Sequence, residues 1–403
     1  MKIIFDLKNF VKILIIITFI KIFFSFFYGD EFLDMEWKIL YNNLVNGHGL
    51  TYYQINQIHI PSVYMPPLYI YFLYIFSFLN FSEFFTVKII LFVQCFLSGL
   101  SVYIFFKILK IFFNETYSYI IAFLYLLYPL NFYSSSQISS ISLQIFLFIY
   151  FIYFFLNFFK KKNYLYFGGF SAFLCLLRGE FWLLFFICIL FLFIKNFNQW
   201  KKIFCSFLTF VIILSPYLSR NYFIFDKLIL TKSSGYNLWR GNSEKFDVNG
   251  DTDISKFAND LKKIEKNLEE NNKLYLYELY VDNFYFDKAK NNIIENFHSY
   301  AKHYIIKFFS FAIFNYNSNY PNYFHPLIFI PELIISILAI LGLVKNLLSK
   351  FRSEEILILT FFYLFIIPLF FVLPRYKLFI LPMYFIFAFY YLKELFLKNN
   401  KAK

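Results

Sequence analysis

The chain has 403 residues, of which 60% are hydrophobic and 16% charged, against roughly 25% charged in a soluble domain. That load excludes a water-soluble globule, and 65 Phe and 35 Tyr against 11 Gly and 11 Pro put the apolar content in long helical runs rather than in turn-rich sheet. The net charge of +13 does not imply nucleic acid, because the lysines flank apolar runs instead of covering one face of a soluble domain.

The first apolar run, about residues 13–28, follows MKIIFDLKNFVK without a small-residue cleavage site and is predicted to be a retained anchor. A first loop, 29–66, begins with the acids Asp30, Glu31, Asp34 and Glu36. Residues 67–80, PLYIYFLYIFSFLN, are apolar but too short to cross and are predicted to lie in the outer interface. Nine further runs follow near 86–106, 117–133, 138–159, 164–177, 180–194, 203–219, 327–344, 356–373 and 376–392. Between the seventh and eighth of the ten runs lies a long polar loop, 220–325, with helices predicted in ISKFANDLKKIEKNLEENN and DKAKNNIIENFHSYAKHYIIKFFSF.

The runs 164–177 and 180–194 are short, and the distribution of basic residues decides that they form a hairpin rather than one helix. With the hairpin, eighteen Lys and Arg fall in the segments of one side and four, Lys38, Arg178, Arg375 and Lys377, in the short segments of the other. The positive-inside rule then predicts both termini in the cytoplasm. The expected fold is an all-α polytopic membrane protein of about ten transmembrane helices. Its expected parts are an N-terminal membrane core (1–219) whose first extracytoplasmic loop carries interfacial helices, an extracytoplasmic loop domain (220–325) and a C-terminal hairpin bundle (326–403). Cys95, Cys175, Cys188 and Cys205 all fall inside apolar runs, with neither metal-type nor disulfide spacing.

Charged residues at membrane spans are costly and point to function. Four places carry them: the acidic loop, the Arg178–Glu180 turn, Arg220 after the seventh run, and Arg375 with Lys377 in the last hairpin. Taken singly, each has a plain structural reading: a solvated helix start, a structural ion pair, or interfacial anchors that snorkel. All four face one side under a topology set by other residues. Carboxylates and guanidinium groups meeting there suit transfer of a group from a phosphate-linked lipid, with a carboxylate as general base on the acceptor and Arg on the leaving phosphate. GxSxG, HExxH, Walker and GxGxxG motifs are absent, so nothing supports the chemistries they serve, and no metal or cofactor is expected.

At these residues the chain resembles the GT-C superfamily of glycosyltransferases that use polyprenyl-phosphate sugars, in particular bacterial relatives of protein mannosyltransferases and of aminoarabinose transferase. Asp34, Trp37, Tyr41, Leu44, Gly47 and Gly49 resemble D-x-x-Y-x-x-x-A-x-x-L-x-x-G-x-G, and MPPLYIYFLYIF resembles the proline pair before an interfacial helix. Arg178, Gly179 and Glu180 are similar to a T-R-P-E turn. PYLSRNY with GYNLWRGNS is similar to P-W-x-x-R-N-Y and G-Y-N-L-x-x-G-N, and PRYKLFILP to R-Y-x-x-P. Ser139 and Ser140 stand where many relatives carry an acid. The resemblance implies Asp34 as base and Arg220 and Arg375 as donor-phosphate contacts. It also implies that Glu31, Arg178, Glu180, Tyr236, Asn237 and Asn242 bind substrate. The implied partners are a polyprenyl-phosphate sugar donor, a lipid, glycan or protein acceptor and membrane lipids, with the bacterial inner membrane as location.

A transporter or flippase of lipid-linked saccharides would also use intramembrane cations, but paired repeats and Gly/Pro-broken spans in both halves are not evident. A non-catalytic assembly subunit would be marked by loss of the acidic cluster, and Asp34 is intact.

Overall fold

The computed structural model describes residues 7–33, 35–348 and 354–401. The chain is helical almost throughout. In chain order come α1 (Leu7–Tyr28), α2 (Met35–Val45), the strands β1 (Thr51–Ile55) and β2 (Ile58–Pro61), α3 (Leu68–Ile75), α4 (Glu83–Phe112), α5 (Glu115–Leu126) and α6 (Pro129–Ser134). These are followed by α7 (Ile141–Leu156), α8 (Asn163–Cys175), α9 (Phe181–Lys195) and α10 (Trp200–Phe225). The polar loop holds α11 (Ser234–Gly241), α12 (Ala258–Glu270), α13 (Tyr277–Glu295) and α14 (Phe297–Ala312), and α15 (Pro326–Leu347), α16 (Glu354–Ile366) and α17 (Lys377–Lys401) close the chain.

Among the described residues, five segments are helical, long and apolar enough to cross a membrane: Leu7–Tyr28, Glu83–Phe112, Phe197–Phe225, Pro326–Leu347 and Pro374–Leu395. They make this a helical membrane protein. The other five apolar runs are helical too, but shorter. Run 117–133 breaks where Tyr128 turns extended before Pro129, which starts α6. Run 356–373 leaves the α-helix at Ile366 and passes through a short 3₁₀ turn containing Pro368. Helix α8 has 13 residues, about 20 Å at 1.5 Å per residue, which is short of an apolar core about 30 Å thick.

Helix α4 packs against α1, α5 and α7, α8 against α10, and α17 against α15 and α16. Three glycines let backbones approach at these crossings. Gly99 faces Thr18, Gly168 the Ser206 backbone and Gly342 the Phe387 backbone, each closer than an added Cβ would tolerate.

The first loop departs from the expected set of interfacial helices. Helices α2 and α3 are present, but an antiparallel hairpin, β1–β2, stands between them. Its two-residue turn, Asn56–Gln57, has positive φ at both positions (48° and 67°), the geometry that matches the twist of paired strands. Gly47 and Gly49, at φ 79° and 72°, turn the chain from α2 into β1, a conformation that costs glycine little. The hairpin is not separate from the polar loop. Ile55 and Ile60 share a buried cluster with Leu268, Leu274 and Tyr277, and Asn56 donates to Glu269 at 2.6 Å. The helix expected over 287–311 is two helices, α13 and α14, divided at Asn296 (φ −119°, ψ 39°).

Candidate functional site

The acidic loop is clipped to the turn between α6 and α7. The Asp30 backbone N–H donates to Ser136 O (3.1 Å), and its carboxylate accepts from the Ile138 N–H (2.6 Å). Asp34 lies outside the described residues. Its neighbour Leu33 is buried and donates its N–H to Glu83 (3.1 Å), and α2 begins directly after it. From α2, Trp37 packs edge-on against Tyr69 of α3 at 4.8 Å. The Tyr69 hydroxyl donates to Gln94 of α4 (2.9 Å), and Gln94 donates to Gln137 O (2.8 Å). These contacts tie α2, α3, α4 and the α6–α7 turn together, with the Tyr69 hydroxyl within electrostatic reach of Asp30. Glu31 is exposed. Glu36 faces elsewhere, and its charge pushes up the hydroxyl pKa of Tyr52 and Tyr236 after the larger effect of burial.

Arg375, exposed at the start of the last helical segment, lines a small cavity of about 100 Å³ with Tyr133, Gln137, Ser139 and Tyr320. The Tyr133 hydroxyl lies within electrostatic reach of Tyr320, Asp30 and Arg375. Tyr133 also borders a second cavity of about 1110 Å³, an apolar groove walled by Phe24, Leu127, Phe132, Ile330 and Ile334 between α1, α5–α6 and α15. An apolar groove and a cationic pocket thus share one wall, with Asp30 beside the pocket.

Arg178 and Glu180 form an ion pair at 2.5 Å, both largely shielded. The guanidinium lies 5.0 Å and 4.9 Å from the ring centres of Tyr376 and Phe379, which brings the α8–α9 turn against the segment that carries Arg375. Arg220 is placed elsewhere. It donates to Ser62 O (3.0 Å), Leu50 O (3.3 Å) and Asn221 (2.7 Å), and it lines a third cavity, beneath the hairpin, that shares no residue with the Arg375 pocket. The structure therefore does not bring the two arginines together.

In the GYNLWRGN stretch, the Tyr236 N–H donates to Asp282 (3.0 Å) and its ring packs on Tyr285 at 5.1 Å. Asn237 is half-buried. Asn242 is fully buried, and its amide donates to Leu238 O and Leu369 O (2.8 Å each) and accepts from Lys307 (2.9 Å). That set of bonds gives it a structural task. Lys307 also donates to Gly241 O (2.8 Å) and Phe370 O (2.7 Å), so it caps α11. Burial pushes its ammonium down to about 7. Lys377, at 2% exposure, is held by Phe311 O, Ile313 O and Glu332.

Three functional candidates escape sequence reading. Lys21 interrupts the first apolar run and is buried, donating to Ser98 (2.7 Å) and Asn131 O (3.2 Å); a charge inside a span is itself a signal. Glu278 holds the Val63 N–H at 2.6 Å, and burial pushes its carboxyl up to about 7. It carries no sequence signal, since it looks like any acid in a polar helix. Tyr133 likewise looks like one aromatic among many.

Comparisons with protein families, curated proteins and solved structures return no match. Among the described residues, no group of three or more His, Cys, Asp or Glu is placed to hold a metal ion. What the arrangement can do is accept an amphiphile. The groove is apolar, the pocket at its wall presents the Arg375 guanidinium, and the Asp30 carboxylate stands beside that pocket.

Proposed function

We propose that this protein is a membrane glycosyltransferase that moves a sugar from a polyprenyl-phosphate donor to a lipid, glycan or protein acceptor outside the cytoplasm, with inversion. The observation that carries the reading is the joint of the apolar groove and the Arg375 pocket at Tyr133. The isoprenoid chain lies in the groove and the phosphate at Arg375, whose fork suits its oxygens. A carboxylate of the first loop takes the proton of the acceptor hydroxyl as its oxygen attacks the anomeric carbon. The bond from that carbon to the phosphate oxygen breaks, and the electron pair leaves with the polyprenyl phosphate. Resemblance names Asp34 as that base; Asp30 is the described acid next to the pocket.

The topology that goes with this reading has about ten spans, both termini in the cytoplasm and residues 220–325 outside, in a bacterial inner membrane. Shorter helices complete spans jointly, and the limited reach of α8 draws the Arg178–Glu180 turn into the bundle.

The test is to supply purified protein in lipid nanodiscs with a panel of radiolabelled polyprenyl-phosphate sugars and membrane extract as acceptor. Transfer of label with release of polyprenyl phosphate is expected. Translocation of a lipid-linked sugar across proteoliposomes, without cleavage of any donor, would establish a flippase instead.

A further inference from the structure

We propose that the cavity beneath the first-loop hairpin, distinct from the donor pocket, is a saccharide subsite that seats the acceptor sugar. The word acceptor rests on the transferase reading, whereas the saccharide site itself does not. The cavity holds about 560 Å³, within the usual range of small-ligand pockets. Its polar lining comes from α10 (Tyr217 and Arg220), from the hairpin (Thr51 and His59) and from His48 and Tyr71.

The side chains of this cavity have hydrogen-bonding capacity that the protein does not use. Thr51 Oγ1 and His59 Nδ1 are buried without a hydrogen-bond partner, and the buried Tyr217 hydroxyl has only Asn221 beside it. Thr51 and Tyr217 are only 4% and 8% exposed. Buried polar groups are nearly always paired, so two orphans on one cavity, with a tyrosine hydroxyl that has capacity to spare, call for a ligand with several donors and acceptors. Arg220 adds to them. A guanidinium has five N–H donors, and Arg220 makes only the three bonds to Ser62, Leu50 and Asn221.

The chemistry of the ligand follows from what surrounds these groups. Glu278 lies close enough to Arg220 for their charges to interact, and carbonyls of Leu50 and Ser62 face the guanidinium, so the site is not built as an anion trap. An isoprenoid tail would leave every orphan unpaired. His48 and His59 stack at 3.7 Å with 12° between their planes, and the C–H face of a sugar ring packs on such a surface because aromatic faces are electron-rich. Hydroxyls, a flat apolar face and no net charge describe a neutral pyranose.

Saturation-transfer NMR on protein in nanodiscs, with methyl glycosides of glucose, galactose, mannose and N-acetylglucosamine as probes, tests this directly. At least one glycoside is expected to receive saturation. Thr51→Val and His59→Phe should each weaken its binding roughly threefold or more, the loss expected for one neutral hydrogen bond, while Arg375→Ala leaves it unchanged. Inorganic phosphate should not displace it. No binding by any of the four, binding that survives both variants at wild-type strength, or displacement by phosphate would overturn the proposal. If a glycoside binds as described and no donor is ever cleaved, the subsite stands and the transferase reading fails.

Discussion

The fastening of the hairpin to α13 should weaken as pH rises through neutrality, and Glu278 supplies the magnitude. Its carboxylate accepts the Val63 N–H at 2.6 Å and is 2% exposed. Burial raises its pKa from 4.5 to about 7, against the opposing pull of the Val63, Ser62 and Tyr64 hydrogen bonds and of Arg220. Tyr52, Tyr53 and Tyr217 also feel its charge. The sign follows from linkage. A carboxyl whose pKa is raised in the docked state binds its proton more tightly there, so docking is favoured at low pH and loses that advantage as pH passes the docked value. For pKa values of about 7 docked and 4.5 undocked, the opening constant rises roughly 20-fold between about pH 5.5 and 7.5, or about 1.8 kcal/mol. Hydrogen exchange at Val63, corrected for the intrinsic pH dependence of exchange, reads this constant. Glu278→Gln should flatten the dependence, while the Tyr236 amide, held by Asp282, serves as a separate reporter. A Glu278→Gln protein with the wild-type slope would refute the account.

Lys377→Met should cost about 3–5 kcal/mol because it strands the buried Glu332 charge, and Lys377→Met with Glu332→Gln should recover part of it; thermal melts in detergent check both, and an additive double variant would show that the pair is not coupled. Arg375→Ala should lower donor turnover roughly 10²-fold, and Arg375→Lys should not restore it, because an ammonium lacks the fork; donor-dependence curves decide. Asp34→Asn should lose about 10²–10⁴ in single-turnover transfer with donor binding intact, as loss of a general base does. Asp30→Asn keeps an acceptor for the Ile138 N–H, so a comparable loss there would move the base to Asp30. An alkaline phosphatase fusion near Asn271 should be active and one after Lys403 inactive, and the reverse would discard the common-face topology.

Apolar run length made ten helical runs legible, and among the described residues five of them are long and apolar enough to cross a membrane. The breaks were less legible. Pro129 and Pro368 stand inside their runs in plain sight, yet Pro216, Pro331 and Pro382 sit inside unbroken helices, so proline alone does not say which run divides. The hairpin was hidden for a definite reason: its turn is Asn56–Gln57, without the glycine that marks such turns, and its strands are short.

Of the site, the charged residues were visible and their grouping was not. Arg220 and Arg375 both follow an apolar run, and nothing in their local sequence tells the Arg375 pocket from the hairpin cavity. That distinction is made by long-range partners. Ser62 and Leu50 lie 158 and 170 positions from Arg220, and Tyr320 joins Arg375 from the polar loop. Glu278 shows the same dependence at a distance of 215 positions from Val63. The acid that fastens the first loop to α13 and the arginine that carries the cavity beside it act on one short stretch, residues 50–64. Movement of that stretch must therefore change the cavity, whereas the Arg375 pocket, built from α6, the α6–α7 turn, Tyr320 and the segment around Arg375, shares no lining residue with it.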